Sequence, residues 1–273
     1  MRLQVYGQTH SPWVQAVLLG LYEKRIEHTL TTATPLKVLK KWGVMMPAAR
    51  VDDDDWQLES AEILQRIGFG TIDPADMKAI YTAWQGVMHR ADSATRFFHR
   101  FSLAGDPHPF ILRRLWRNFW RSFSTFYFFI LIRFRVMTVG YRDPEDFAVQ
   151  FLYWNEKLAT SDGPFLGGDQ PNTTDLILFG IIQCHCSIPV PPLTALTDDE
   201  RLTRLREWMG SMNVRFSNYP YLYSGAYFEP WNITFAPATL LDQAAFWEGA
   251  IIMVCLFPVT VPLVFYLMSK VPR

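Results

Sequence analysis

A hairpin followed by a helix is predicted by residues 46–64, which read MPAARVDDDDWQLESAEIL. Residues 48–51 and 56–58 are apolar enough to form two short strands, and the four aspartates between them favour a turn. Glu59 and Ser60 then begin a helix, because the apolar residues that follow them recur at helical spacing. The stretch therefore predicts two antiparallel strands and a helix in direct succession.

A strand, a helix and a second strand are predicted upstream of this hairpin. Leu3–Tyr6 alternates as a short strand does, and residues 27–32 have the same character. Between them, Ser11 and Pro12 suit the N-cap and the first position of a helix. Because a helix joins the two strands, we expect them to be parallel. Residues 1–70 thus predict a small α/β domain.

A helical region follows, and its clearest signal is residues 163–175, which read GPFLGGDQPNTTD. Asn172 can cap a helix, and Asp175, three residues later, can reach back to the backbone N–H of Asn172. The helix that follows is apolar nearly all round, so we expect it to be buried. Together with the helical patterns on either side, this motif predicts an all-α domain over residues 75–218.

This arrangement, with Pro47 immediately before the third strand, resembles the glutathione transferases. The resemblance is carried by Ser11-Pro12, Met46-Pro47 and residues 58–64 (LESAEIL) in the first domain, and independently by residues 163–175 in the second. It covers residues 1–220. It implies a thioredoxin-like α/β N-terminal domain, an all-α C-terminal domain of the glutathione-transferase type, and glutathione as a ligand or co-substrate.

The resemblance also implies a catalytic residue. Ser11 occupies the position where serine-type members of the family place the hydroxyl that hydrogen-bonds the glutathione sulfur. That contact lowers the pKa of the thiol, and the thiolate is the nucleophile. The N-terminus of the helix that starts at Ser11 and Pro12 adds positive potential at the same point.

Further residues would hold the glutathione tripeptide. Pro47 would be a cis-proline that exposes the backbone of Met46 to the cysteinyl part of the ligand. Glu59 and Ser60 would hold the γ-glutamyl end, and the N-terminus of the helix at Ser60 would bind its carboxylate. Lys41, or the lysine before it, would meet the glycyl carboxylate.

Other interpretations of these residues stay open at the level of sequence. Ser11 can be an N-cap and nothing more. Tyr6 and Thr9 offer alternative hydroxyl groups near the same position, although Tyr6 lies in a strand and is expected to pack. Met46 and the alanines at 48–49 depart from the family pattern, which favours a pocket shaped for a different ligand.

A membrane anchor is predicted at residues 248–269, after a linker at 219–247 that is rich in aromatic residues and proline. Within the anchor, residues 249–268 carry no charge, and a helix of that length spans about 30 Å, the thickness of a bilayer core. Trp247 and Tyr266 lie near the two ends, where such rings prefer the headgroup level. We therefore expect a single C-terminal transmembrane helix.

Two features of the sequence favour opposite orientations of this anchor. Residues 1–6 lead into a strand and not into an apolar leader, so we expect the globular body to face the cytosol. Lys270 and Arg273 instead favour a cytoplasmic position for the end of the anchor. Because these are only two charges, we expect a cytosolic body with either a short translocated tail or a hairpin-like shallow insertion. Pro258 and Pro262 are expected to kink the helix.

A cationic aromatic segment occupies residues 110–138. No acidic residue occurs between Asp106 and Asp143, whereas six arginines interleave with tryptophan and phenylalanine. This pattern predicts docking onto an anionic membrane surface. Alternatively, the aromatic residues form core and the arginines are solvated; nucleic-acid binding is the least favoured interpretation. The candidate membrane contacts are Arg113, Arg117, Trp120, Arg121, Trp247 and Tyr266.

Composition narrows the remaining classes of protein. The 273 residues include 26 basic and 26 acidic side chains and are 49% apolar, which excludes a disordered chain and offers no overall attraction to nucleic acid. Three cysteines cannot form a disulfide framework. Cys184, His185 and Cys186 would point in different directions on a helix, and we expect no metal site there.

Two functions remain from the sequence. One is a membrane-anchored, glutathione-transferase-like enzyme that binds glutathione and conjugates or reduces hydrophobic electrophiles near the bilayer. The other is a non-catalytic accessory or scaffold subunit of a membrane protein complex, whose aromatic surfaces and tail make the contacts. The expected partners are glutathione, the lipid bilayer and other membrane protein subunits, and the resemblance adds a homodimer.

Overall fold

A computed structural model describes the chain over residues 3–52, 54–88, 90–102, 108–140, 146–187, 191–223 and 238–269. Contacts divide the chain into two compact units. The first unit comprises Met1–Gly86 and Pro144–Trp231, and the second comprises Val87–Asp143 and Asn232–Ser269. The helical domain predicted over residues 75–218 therefore contributes to both units.

A four-stranded sheet forms near the start of the first unit. Its strands are β1 (Leu3–Tyr6), β2 (His28–Thr31), β3 (Ala48–Val51) and β4 (Gln57–Leu58). Their order in the sheet is β2-β1-β3-β4; β1 is parallel to β2, β3 is antiparallel to β1, and β4 is antiparallel to β3. This is a thioredoxin-like order, and it confirms the predicted βαβ and ββα succession.

The rest of the described residues are mainly helical, as predicted. In chain order the helices are α1 (Pro12–Glu23), α2 (Leu36–Trp42), α3 (Ser60–Arg66), α4 (Pro74–Met88), α5 (Ser93–Ser102), α6 (Ile111–Val139), α7 (Val149–Ala159), α8 (Thr173–Ser187), α9 (Pro191–Asp198), α10 (Thr203–Arg215), α11 (Leu240–Cys255) and α12 (Phe257–Met268). A 3₁₀ turn at Glu200–Leu202 precedes α10.

The core of the first unit is built on α1 and α8. Residues 12–21 of α1 and every residue of α8 are buried, which agrees with their nearly continuous apolar sequences. The two helices pack closely, because Gly180 of α8 lies directly against the backbone carbonyl of Pro12. The start of α1 is therefore positioned by α8.

A capping box starts α8, as predicted. The side-chain oxygen of Asn172 accepts a hydrogen bond from the backbone N–H of Asp175 at 3.1 Å, and the Asp175 carboxylate accepts one from the N–H of Asn172 at 2.9 Å. The same carboxylate also accepts hydrogen bonds from the N–H groups of Leu166 and Gly167 and from the indole N–H of Trp208. Asp175 thus ties the preceding loop and α10 to the first turn of α8.

The second unit pairs α6 with α11. The side chains of Arg114 and Asn118 each donate a hydrogen bond to Asp242, at 3.0 Å, and Gly249 lies against Phe119 and Ser122 one to two turns further along. The two helices therefore run parallel. Burial opposes ionisation of Asp242, but the hydrogen bonds from Thr239 and the charge of Arg114 outweigh it, and the pKa of Asp242 is lowered.

The predicted transmembrane helix is interrupted. Residues 248–269 belong to α11 and α12, which meet at Leu256 instead of forming one continuous helix. Pro258 supplies the physical reason, since it has no N–H to donate and its ring collides with the carbonyl four residues back. Lys270 and Arg273, and residues 224–237 of the predicted linker, lie outside the described residues.

The length and apolar character of the described helices agree with this interruption. Among the described residues, no single helix is both long enough and apolar enough to cross a membrane. Leu240–Cys255 and Phe257–Leu263 meet that requirement only as a pair, and they are bent by 86° at their junction.

Candidate functional site

The sheet register brings three separate parts of the predicted site to one edge. Tyr6, the last residue of β1, pairs with Ala48, the first residue of β3. Ala48 also pairs with Leu58, the last residue of β4. The residues that follow β1, precede β3 and follow β4 therefore lie side by side. These are the loop that ends at Ser11, the Met46-Pro47 pair, and Glu59 with Ser60.

Met46 contacts the loop that follows β1. The peptide bond between Met46 and Pro47 is cis, as predicted, and the sulfur of Met46 accepts a hydrogen bond from the backbone N–H of Gln8 at 3.3 Å. Met46 is buried, and within the described residues no hydrogen bond uses its backbone N–H or C=O. A backbone segment of this kind can pair with an extended peptide laid beside it.

Ser11 occupies the N-cap position of α1, with extended backbone angles and a partly exposed side chain. Its carbonyl accepts the first helical hydrogen bond, from the N–H of Gln15 at 2.9 Å. Among the described residues, however, the Ser11 hydroxyl accepts no capping hydrogen bond from the helix backbone. The hydroxyl is therefore not used in the way that the N-cap interpretation requires.

The two alternative hydroxyl groups are both engaged. The Tyr6 hydroxyl lies 2.7 Å from that of Thr34 and donates to the carbonyl of Val44 at 3.2 Å. Burial raises the pKa of Tyr6, which makes it a poor source of a phenolate. The Thr9 hydroxyl lies 2.9 Å from the hydroxyl of Tyr223.

Glu59 has an unusual backbone conformation. Its φ is +76° and its ψ is 121°, a combination that side-chain-bearing residues rarely adopt and that costs about 1–3 kcal/mol. Ser60, the next residue, is buried at the start of α3. Strained residues of this kind persist where the surrounding structure holds them in place, and they are frequent at binding sites.

Lys41 is not brought to the same edge by any described contact. It is exposed near the end of α2, and its ammonium group lies 4.4 Å from the ring centre of Trp42. The predicted role of Lys41 toward a glycyl carboxylate stays a prediction.

The first residues of the predicted linker form a short segment that lies across α1, and sequence reasoning did not identify its partners. Residues 219–223, which we call the tyrosine strap, are held by two buried glutamines. Gln15 donates to the carbonyls of Thr9 and Tyr221 and accepts a hydrogen bond from the hydroxyl of Tyr219 at 2.9 Å. Gln183 accepts one from the backbone N–H of Tyr223. A single glutamine within each of two otherwise apolar stretches, at Gln15 and Gln183, was the sequence signal for these partners.

His10 is a second residue that the sequence did not single out. It lies between Thr9 and Ser11, and burial lowers its pKa to about 4. The imidazole is therefore neutral at pH 7, and it adds no positive charge beside Ser11.

The two cysteines of α8, Cys184 and Cys186, are both buried. Burial raises the pKa of Cys184 to about 12 and lowers that of His185 to about 4, and the His185 ring lies 3.2 Å from the carbonyl of Ala83. Within the part of the chain that the structure describes, no three His, Cys, Asp or Glu side chains are grouped as a metal ion would require.

Five of the six predicted membrane contacts are placed toward solvent, within the second unit. Arg121 differs, because its guanidinium donates to the carbonyl of Phe101 and to the side chain of Asn118 and lies 4.7 Å from the ring centre of Phe246. Arg121 therefore holds α5, α6 and α11 together. The exposed five are Arg113, Arg117, Trp120, Trp247 and Tyr266.

Comparison with known proteins gave matches at the level of structure alone. No protein-family profile and no curated protein matches the chain. A poplar glutathione transferase is 16% identical, with 81% of this chain and 97% of that chain covered and a TM-score of 0.41. A Chlamydomonas reinhardtii dehydroascorbate reductase is 12% identical, with 90% and 96% covered and a TM-score of 0.46. Salmonella typhimurium glutaredoxin 2, solved in complex with glutathione, is 16% identical, with 79% and 94% covered and a TM-score of 0.45.

Proposed function

We propose that the chain binds glutathione at the sheet edge formed by Ser11, Met46 and Glu59. The observation that carries this proposal is Met46, whose backbone N–H and C=O make no hydrogen bond among the described residues although its side chain is packed against Gln8. Such groups normally have a hydrogen-bond partner, and the cysteinyl backbone of an extended tripeptide would supply one. Glu59, held in a strained conformation beside it, would receive the ammonium group of the γ-glutamyl end.

The same edge offers a means of activating the ligand's thiol. The Ser11 hydroxyl can donate to the sulfur and so stabilise the thiolate, and the N-terminus of α1 contributes positive potential. A thiolate held there would attack a hydrophobic electrophile, form a sulfur–carbon bond and expel a leaving group. A glutathione transferase activity of this kind is the function that we propose for the site.

We expect glutathione to bind the full chain in detergent with micromolar to millimolar affinity by calorimetry. Glu59→Gly should weaken binding at least about tenfold, since the carboxylate is lost, while unfolding becomes harder by about 1 kcal/mol as the strain is relieved. Arg25→Gly is the matched control, because Arg25 also has a positive φ, of 52°, at the other end of α1.

The control variant should gain stability and bind glutathione normally. Unchanged binding in Glu59→Gly would remove Glu59 from the site. A folded wild-type chain that binds no glutathione would contradict the proposal and favour the scaffold function.

Ser11→Ala should leave glutathione bound but raise the pKa of its thiol, so that the ultraviolet absorbance of the thiolate at neutral pH falls at least about tenfold. Unfolding should be nearly unaffected, with a loss below the roughly 1 kcal/mol of an ordinary cap, because the Ser11 hydroxyl makes no capping bond in the described structure. Thr9→Val is the control. A thiolate that survives Ser11→Ala but is lost in Thr9→Val would assign the role to Thr9.

We further propose that the second unit attaches the protein to a membrane, with the first unit in the cytosol. The support is the apolar character of α11 and α12, whose exposed side chains include Ile251, Val259 and Leu263. Burial of such side chains in lipid is favourable, and soluble proteins seldom leave this much apolar surface uncovered.

A further inference from the structure

We infer that the second unit enters only one leaflet of an anionic bilayer, with α11 and α12 as a bent wedge and the start of α6 as a headgroup-binding face. This inference rests on the proposed membrane attachment and defines its geometry. The occupant of the exposed apolar surface is thus a phospholipid surface, and no part of the wedge reaches the opposite side.

The two helices of the wedge, α11 and α12, are each too short to cross a bilayer. The twelve residues of α12 form a helix of about 18 Å, well short of the roughly 30 Å of a bilayer core. The sixteen residues of α11 would reach about 24 Å, but Asp242 and Glu248 lie within them. Because the arms are bent by 86°, they cannot add their lengths along one direction.

The side chains of the wedge form an apolar outer surface. On α12, Val259, Leu263 and Tyr266 recur at helical spacing and are exposed, Val259 by 65%. On α11, Ile251 and Val254 are exposed after Glu248, the last charged residue of that helix. The inner side of α12 is occupied, since Phe265 contacts Phe134 of α6 edge to face at 4.7 Å between ring centres.

The start of α6 supplies the groups that anionic headgroups bind. Leu112, Trp116 and Trp120 recur every four residues and are exposed, and Arg113 and Arg117 follow them by one position on the adjacent strip of the helix. Tryptophan rings and arginines side by side suit the boundary between acyl chains and phosphates. The sequence between Asp106 and Asp143 holds no acidic residue, so this part of the chain is strongly cationic.

The headgroup-binding face at the start of α6 is continuous with the wedge. The rings of Trp116 and Phe119 stack with centres 6.0 Å apart, and Phe119 in turn lies against Gly249 of α11. Asp242, the acidic group at the start of α11, is paired with Arg114. The combination of the positive charge at the start of α6 with adjacent apolar surface favours an anionic bilayer over a protein partner.

Cysteine labelling tests the geometry on the full chain bound to preformed vesicles of phosphatidylcholine with phosphatidylserine. Leu240→Cys and Ser269→Cys would be placed separately in a Cys255→Ser background, where the buried Cys184 and Cys186 do not react. A maleimide that cannot cross the membrane should label both positions from outside. Label at Leu240→Cys alone, with Ser269→Cys reacting only after detergent, would overturn the single-leaflet geometry and leave the attachment intact.

The charge of the headgroup face is tested by vesicle flotation. Arg113→Ala with Arg117→Ala should weaken binding to the anionic vesicles about 25-fold, at about a factor of five for each arginine, whereas the Arg113→Lys, Arg117→Lys protein should bind nearly as the wild type does. Equal binding to pure phosphatidylcholine would overturn the anionic preference. A folded chain that floats with neither vesicle would overturn this inference and the membrane attachment together, with the glutathione proposal untouched.

Discussion

Asp175→Ala should lower the free energy of unfolding of the first unit by about 4 kcal/mol, the largest effect that we expect from one substitution. The carboxylate is fully buried and accepts four hydrogen bonds, from the backbone N–H groups of Leu166, Gly167 and Asn172 and from the indole of Trp208. Removing it leaves the buried indole N–H of Trp208 and three part-buried backbone N–H groups without their acceptor. The loss is largest at Trp208, because a buried donor without an acceptor costs more than an exposed hydrogen bond contributes.

Urea unfolding, followed by tryptophan fluorescence and circular dichroism, measures this loss. Asp175→Asn should fall between wild type and alanine, because one amide oxygen can still accept hydrogen bonds while the amide nitrogen meets donors. Asp199→Ala is a useful contrast, since Asp199 caps the 3₁₀ turn at the surface and its loss should be far smaller. A wild-type midpoint for Asp175→Ala would mean that the loop before α8 contributes little to stability.

Gly180→Ala should destabilise the protein by about 2 kcal/mol, although alanine normally favours a helix over glycine by about 1 kcal/mol. A Cβ at residue 180 would lie 2.3 Å from the carbonyl oxygen of Pro12, and a backbone atom cannot rotate away as a flexible side chain can. The two helices must therefore separate. Since Pro12 follows Ser11, glutathione binding should weaken in the same variant.

Gly210→Ala provides a matched control of opposite sign. Gly210 lies within α10, and no described heavy atom lies within 4 Å of the position that its Cβ would take. This variant should gain about 0.5–1 kcal/mol from helix propensity alone. The two variants are compared by their urea midpoints. If Gly180→Ala were also stabilised, the close approach of α1 and α8 would be wrong.

The features that the sequence predicted best are local ones. The capping box joins residues only three positions apart. The strands and the helix of the βαβ unit are each predicted by periodicity and by turn residues. Tertiary contacts agree with these local preferences and do not override them. The predicted order of elements in residues 1–70 was confirmed for this reason.

The features that the sequence missed depend on distant partners. The sequence predicted a linker from residue 219, but the partners of the tyrosine strap, Thr9 and Gln15, lie more than 200 positions away, so no local pattern identifies them. Arg121 is charged, as surface residues usually are, so the sequence predicted an exposed side chain. Its contacts with the carbonyl of Phe101 and the ring of Phe246 come from distant parts of the chain. The prolines near the end of the chain predicted a kink, but the 86° between α11 and α12 depends on what each arm contacts.

The parallel pairing of α6 and α11 has a consequence for synthesis. Arg114 and Asp242 are separated by 128 positions, so α6 leaves the ribosome roughly 6–25 s before its partner helix at about 5–20 residues per second. During that interval the side of α6 that packs against α11 is uncovered. Asn118 has not yet met Asp242, and Phe119 has not yet met Gly249. Closure of the second unit is therefore a late event, and α6 must be kept from aggregation while the ribosome translates the intervening chain.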